Sequence, residues 1–253
     1  MRGLSYFFAA IAGAAVAAAV LIYFPAGRTP QGLSAGQTKA VEGLIATYLE
    51  KHPELVAKAL DQFQEEQKTA AREATQTEIR DKASAIFHDP ADLVLGNPQG
   101  DVTIVEFFDY RCPYCKRAMP VLMQTLKDDG HIRLVLKEFP ILGPDSVIAA
   151  RAAIASEKQD KYAAFHLALL ASQSALDQGT VMSIAEATGI DTKRLVEDMK
   201  DPAIDALVKK NYGLARGLKI DGTPAFIIGD ELVPGALDRP TLEALIKQAR
   251  GKG

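Results

Sequence analysis

The longest uninterrupted apolar stretch in the chain is Leu4 to Phe24, 21 residues without a charge. At about 1.5 Å per residue it can cross a bilayer core of about 30 Å. The apolar region of a secretory signal runs to about 7–15 residues. The length therefore favours an uncleaved anchor over a cleaved signal, although Ala15, Ala17 and Ala19 supply small residues for a cleavage site. Residues 1–27 are assigned as signal peptide or membrane anchor. No cysteine lies near this segment, so it offers no thiol for a lipid. Pro25, Gly27, Pro30, Gly32 and Gly36 mark residues 25–38 as a linker.

Helical periodicity follows. Val41, Leu44, Ile45, Tyr48 and Leu49 recur on one face at 3.6-residue spacing. Pro53 suits the first turn of a second helix, and Leu55, Val56, Ala59, Leu60 and Phe63 extend the stripe. From Gln64 to Glu78 no face is apolar, which predicts a solvated helix or a connector. The apolar stripe thus has little of its own domain to pack on. Residues 37–88 are expected to form a helical oligomerisation region and linker, because exposed apolar patches usually mark contact surfaces. Packing of the stripe on the C-terminal domain is the competing reading.

From Asp92 onward the texture changes. Asp101–Phe108 and Ile132–Lys137 read as strands flanking a helix that starts at Cys112 and continues through Lys127. Residues 145–215 read as several helices, punctuated at Gly179, Gly189, Pro202 and Gly213. Ala225–Ile228 and Glu231–Val233 read as a strand pair turning at Gly229-Asp230, and Thr241–Arg250 as a closing helix. This order predicts an α/β sheet with a helical insertion.

Composition excludes some partners. A net charge of -3 gives no basic surface for nucleic acid. The two cysteines, Cys112 and Cys115, are the only ones in the chain. No thiol remains for a structural staple, so in an exported and oxidising setting the pair points to disulfide exchange. Zinc needs about four ligands, and His52, His88, His131 and His166 are scattered without a second ligand pair. Neither a metal nor another cofactor is expected.

Cys112 follows a strand and precedes Pro113, a residue suited to the first helical position. At that helix N-terminus free amides and the helix dipole favour a thiolate, with Arg111, Lys116 and Arg117 as further candidates for help. Cys115, one turn in, is expected to be the more buried resolving thiol.

The run Glu106-Phe107-Phe108-Asp109-Tyr110-Arg111-Cys112-Pro113-Tyr114-Cys115 resembles the active-site segment of the DsbA family, within the thioredoxin fold. Gly222-Thr223-Pro224-Ala225-Phe226 resembles that fold's cis-proline segment, and Glu138-Phe139-Pro140-Ile141-Leu142-Gly143 the family's segment after the second strand. The resemblance covers residues 92–253. It implies a thioredoxin-fold catalytic domain with a helical insertion at about 143–216. The His52-Pro53-Glu54-Leu55 region resembles the ScsC/Com1-like branch, whose members oligomerise through added N-terminal regions.

The resemblance implies roles residue by residue. Pro224 would be cis beside Cys112 and shape the substrate groove, with Thr223 bonding an extended peptide and Pro113 and Tyr114 lining it. Glu106 matches the buried carboxylate beneath the site, where burial would raise its pKa and suit it to moving a proton to or from Cys115. Lys137 is a candidate partner for Glu106; Phe107, Phe108 and Phe139 are expected in the core. Typical DsbA oxidases carry histidine where this chain has Tyr114. A neutral tyrosine adds no positive charge, which implies a weaker oxidant.

The expectation is a periplasmic thiol–disulfide oxidoreductase, favoured as an isomerase or reductase of misfolded exported proteins. It would be kept reduced by a DsbD-like membrane partner and would act as a homo-oligomer. The alternatives are a monomeric oxidase recharged by a DsbB-like partner, and a chaperone-like binding or adaptor module using the N-terminal stripe.

Overall fold

In this computed structural model residues 32–251 are described. The apolar segment 4–24, and with it the expectation of an anchor or signal, lies outside them. Among the described residues no helix is long and apolar enough to cross a membrane. The chain divides into two compact units that meet at Glu66 and Gln67.

The first unit holds helix α1 (Ala35–Lys51) and the opening of helix α2 (Pro53–Asp81). Ser34 and Gln37 form a reciprocal capping box at the start of α1, satisfying two amides that the helix leaves open. The chain departs from helical geometry at His52, before Pro53. No residue of α1 is buried. Val41, Leu44, Ile45, Tyr48, Leu49, Leu55, Val56, Leu60 and Phe63 are all exposed. The polar run from Gln64 to Glu78 continues as helix.

The second unit is built on a five-stranded sheet. Its strands are β1 (Leu93–Gly96), β2 (Val102–Phe108), β3 (Ile132–Glu138), β4 (Ala225–Ile228) and β5 (Glu231–Pro234), in the order β1-β3-β2-β4-β5. Only β2 and β3 pair in parallel, joined by the crossover helix α4 (Pro113–Asp129). Helix α3 (Ala83–Phe87) precedes β1. Between β3 and β4 come α5 (Pro144–Ser156), α6 (Tyr162–Ala171), α7 (Gln178–Ala187), α8 (Thr192–Asp198) and α9 (Pro202–Gly217); α10 (Arg239–Arg250) closes the unit. This is the thioredoxin fold with a helical insertion.

Alternation along β2 and β3 sorts side chains to the two sheet faces. Ile104, Phe108, Leu134 and Leu136 pack with Leu122 and Leu126 of α4 and with the insertion. Val105, Phe107 and Val135 pack on the opposite face with Phe139, Leu214 and Ala215. Ile79, from the end of α2, and Ile86 of α3 belong to that second cluster. Those two residues fall within the range 37–88 that the sequence reading treats as an N-terminal region. They pack here because they are the apolar positions that interrupt a polar run.

Parity corrects one expectation. Lys137 does not partner Glu106. Glu106 registers with Leu136, and Phe107 with Lys137, so the two side chains leave the sheet on opposite faces. Lys137 instead meets Asp92 at 2.5 Å, both side chains buried, and also donates to the Ala85 carbonyl at 2.8 Å. Burial raises the Asp92 pKa to about 6, Lys137 offsetting part of that rise.

Candidate active site

The turn Asp109–Cys112 leads from the C-terminal end of β2 into α4. Cys112 occupies the N-cap position, with extended backbone, and Pro113 stands in the first turn. The Cys112 amide donates to the Asp109 carbonyl at 3.0 Å. Both cysteines are free thiols. Cys112 is 4% exposed and Cys115 0%.

The Thr223–Pro224 peptide bond is cis. Cys112 Sγ lies 3.1 Å from the Thr223 carbonyl oxygen, to which the thiol donates. Pro224 is buried, and its carbonyl accepts the Gly235 amide at 2.8 Å. A cleft lined by Ile220, Thr223, Pro224, Leu232 and Pro234 runs beside it. The exposed Tyr114 ring stacks under the Arg117 guanidinium at 4.4 Å.

The two thiols differ sharply in acidity. The Cys112 pKa falls to about 5 through hydrogen bonds from the Cys115 thiol, the Thr223 side chain, and the Cys115 and Tyr114 amides at the helix N-terminus. Thr223 therefore serves both states: its carbonyl accepts from the thiol, and its side chain supports the thiolate. Burial, then the bond Cys115 gives to Cys112, drive the Cys115 pKa far upward.

Glu106 sits on the α4 face of β2 and is 1% exposed. Neither of its carboxylate oxygens has a hydrogen-bond partner among the described residues. Burial, with the nearby charge of Cys112, raises its pKa to about 8. A carboxyl held near neutral pH beside a thiol that resists ionisation is suited to proton transfer.

The cations near the dithiol are engaged elsewhere. Arg111 donates to the Leu142 carbonyl at 2.5 Å and lies 4.0 Å from Asp145. Lys116 donates to the Ser172 carbonyl at 2.5 Å, and Arg117 covers Tyr114. Hydrogen bonds, led by that from Cys115, account for the Cys112 acidity.

Sequence reasoning gave no role to Asp109, Tyr110, Tyr162 or His166, and used Glu138 only as part of a recognisable segment. Asp109 accepts from the Arg111 amide at 2.7 Å, the Ser146 hydroxyl at 2.8 Å and the Leu142 amide at 2.9 Å. It thereby ties the active-site turn to the segment after β3. A signal was present for the others: Tyr162 and His166 are four residues apart in an otherwise apolar helix.

The sequence profile of the DSBA-like thioredoxin domain matches residues 103–247. A thioredoxin-like oxidoreductase from Silicibacter pomeroyi is 45% identical, with a TM-score of 0.66, covering 66% of this chain and 97% of that one. The ScsC protein of Proteus mirabilis in a transitional conformation is 28% identical, with a TM-score of 0.65, over 89% of this chain and 100% of its own. The probable disulfide bond formation protein D of Bacillus anthracis is 27% identical, over 66% of this chain and 81% of its own. The chain also matches curated Na(+)/H(+) antiporters, such as one from Salinispora arenicola at 30% identity, but spans only about a quarter of their length.

Proposed function

The chain belongs to the DsbA-like thioredoxin domain family, and from that premise we propose that it is a thiol–disulfide oxidoreductase whose working groups are Cys112, Cys115, Glu106, Thr223 and Pro224. The observation that carries this reading is the contrast between the two thiols: one acidic at a helix N-terminus against the cis-proline, the other buried and held protonated.

The Cys112 thiolate attacks one sulfur of a substrate disulfide. The Cys112–substrate bond forms, the substrate S–S bond breaks, and the departing thiolate takes a proton from solvent. Two outcomes follow. In reduction, ionised Glu106 accepts the Cys115 proton and the Cys115 sulfur attacks Cys112 Sγ. The second substrate thiol leaves, the substrate gains two electrons, and the enzyme holds the Cys112–Cys115 disulfide. In isomerisation, another substrate thiol attacks the mixed disulfide, Cys112 is released, and no net oxidation occurs. The cleft beside Pro224 would seat an extended peptide, with Thr223, Pro113 and Tyr114 along its rim.

Isomerase or reductase action in the periplasm is the favoured direction, with a DsbD-like membrane reductant regenerating the dithiol. Two features support it: a tyrosine in place of histidine before Cys115, and the exposed apolar stripe on α1 and the start of α2. Residues 37–88 would join copies through that stripe and present several dithiols to one substrate, raising effective concentration. The likeness to ScsC over 89% of this chain takes in much of this region.

The test compares two assays of the full chain. Catalytic amounts of reduced protein should reactivate a substrate with scrambled disulfides. Fast stoichiometric oxidation of a reduced substrate, with no reactivation of the scrambled one, would instead identify a dithiol oxidase.

A further inference from the structure

Behind the dithiol lies a buried polar cluster that the exchange chemistry above does not use. It consists of Tyr110, Glu138, Tyr162 and His166. The Tyr110 hydroxyl donates to Glu138 Oε1 at 2.9 Å and is 2.9 Å from His166 Nδ1. The Tyr162 hydroxyl meets the same two atoms at 3.4 and 3.3 Å. The four groups thus close a ring in which Glu138 Oε1 and His166 Nδ1 each face both phenols.

Burial favours the uncharged form of both Glu138 and His166. Burial raises the Glu138 pKa well above its ordinary value, against the bonds from Tyr110 and Tyr162, and Asp109 adds to the rise. Burial also lowers the His166 pKa to about 3. A neutral ring of this kind contributes geometry rather than charge, because buried polar groups are costly to separate once paired.

Its position gives that geometry a use. Tyr110 stands two residues before Cys112, inside the turn closed by the Cys112 amide on the Asp109 carbonyl. Its partners come from the end of β3 and from α6. The residue just past the end of α6, Ser172, accepts from Lys116, immediately after Cys115. The inserted helices therefore grip the active-site segment on both sides of the dithiol.

We propose that Tyr110 is a positioning residue for disulfide exchange: held by Glu138 and His166, it fixes the Asp109–Cys112 turn against α6 and keeps Cys112 Sγ over the N-terminus of α4. The inference rests on the reading of Cys112 as the reactive thiolate, and it adds a role for the helical insertion in the chemistry.

The test follows the rate of iodoacetamide alkylation against pH on the reduced full chain, with the modified cysteine identified by mass spectrometry. Tyr110→Phe keeps the ring and its edge contacts with Phe108 and His166 and removes only the hydroxyl. It should shift the Cys112 alkylation midpoint up by about one pH unit, a roughly tenfold loss of thiolate below the midpoint. Glu138→Ala should shift it in the same direction. Glu138→Gln, which keeps a neutral group of the same shape, should restore it. Leu169→Ala, a cavity in the apolar face of α6, controls for lost stability: it should lower the melting temperature without moving the midpoint.

An unshifted midpoint in Tyr110→Phe overturns the inference, as does an equal shift in Leu169→Ala. A lower midpoint in Glu138→Gln would mean that Glu138 is ionised, which contradicts a neutral cluster. Alkylation of Cys115 rather than Cys112 in the unmodified protein would instead remove the reading on which the inference rests, and the two failures are told apart by the modified residue.

Discussion

The Cys112 sulfur and the Thr223 carbonyl oxygen, 111 residues apart in the chain, meet at 3.1 Å. That contact brings the N-terminus of α4 and the cis-proline loop to one point. On the proposed exchange chemistry, a substrate sulfur bonded to Cys112 would emerge beside Thr223, and an extended peptide carrying it would lie along the Pro224 cleft.

Cys112 should titrate near pH 5. Its folded pKa lies below the unfolded value of about 8.5. The reduced fold therefore gains stability that is fully present above about pH 8.5 and is lost as pH falls through 5. Chemical denaturation of reduced and oxidised protein should show this as a stability difference that grows in favour of the reduced form between those two pH values and is flat below them. Above about pH 8.5 the raised Cys115 pKa should reverse the trend, because the unfolded chain can ionise that thiol and the fold resists it. Cys115→Ala removes the main hydrogen bond to the thiolate, so its alkylation midpoint should rise; an unchanged midpoint would refute the assigned cause.

Glu106→Gln should slow release of a mixed disulfide by about 10²-fold or more, the usual scale for losing a positioned proton acceptor, and should remove the rate increase with pH near 8. The sign for stability is opposite to that of Cys112. Glu106 has a folded pKa raised above 4.5, so its favourable contribution is present below 4.5 and lost as pH rises through about 8. The glutamine variant should consequently gain melting temperature over the parent at pH 8–9 and little at pH 4.

Breaking the Lys137–Asp92 pair should be costly without touching the chemistry. Asp92→Ala leaves a buried ammonium without its carboxylate, a change of about 3–5 kcal/mol in unfolding free energy. Lys137→Met combined with Asp92→Ala should recover much of that loss. Cys112 alkylation at pH 7 should be unaltered in the folded protein of both variants.

Much of this architecture was legible in the residues. The apolar strands, the helix opening at Pro113 and the hairpin turning at Gly229-Asp230 follow from local pattern. Glu106 was singled out by the family resemblance, and its expected burial beneath the dithiol is what the structure shows. The mistaken Lys137–Glu106 pairing came from proximity in the fold without strand parity: one residue of register decides the face. The i, i+4 spacing of Tyr162 and His166 was present in the sequence, but their union with Tyr110 and Glu138 was not legible because it joins a loop, a strand end and an inserted helix. Only tertiary packing brings those together. The short strand β1 was also missed, since four residues give too little alternation to read.

Charge placed on the N-terminal stripe should separate assembly from chemistry. Leu44→Lys with Phe63→Lys alters exposed positions, so folding should be unaffected. Sedimentation should show loss of the oligomer, and reactivation of a scrambled substrate should fall while Cys112 alkylation persists. A parent protein that sediments as a monomer would contradict the assembly. A truncation intended to test the same point should begin at residue 67, not at the end of the expected 37–88 region, because Ile79 and Ile86 are core residues of the second unit.

The most direct measurement traps the intermediate. Cys115→Ser protein, reduced and mixed with a disulfide-containing substrate, should accumulate one covalent adduct, located by mass spectrometry on Cys112. Cys112→Ser should accumulate none at neutral pH, because the buried Cys115 resists ionisation. An adduct on Cys115 in the second variant, or none on Cys112 in the first, would contradict the assignment of Cys112 as nucleophile and Cys115 as resolving thiol.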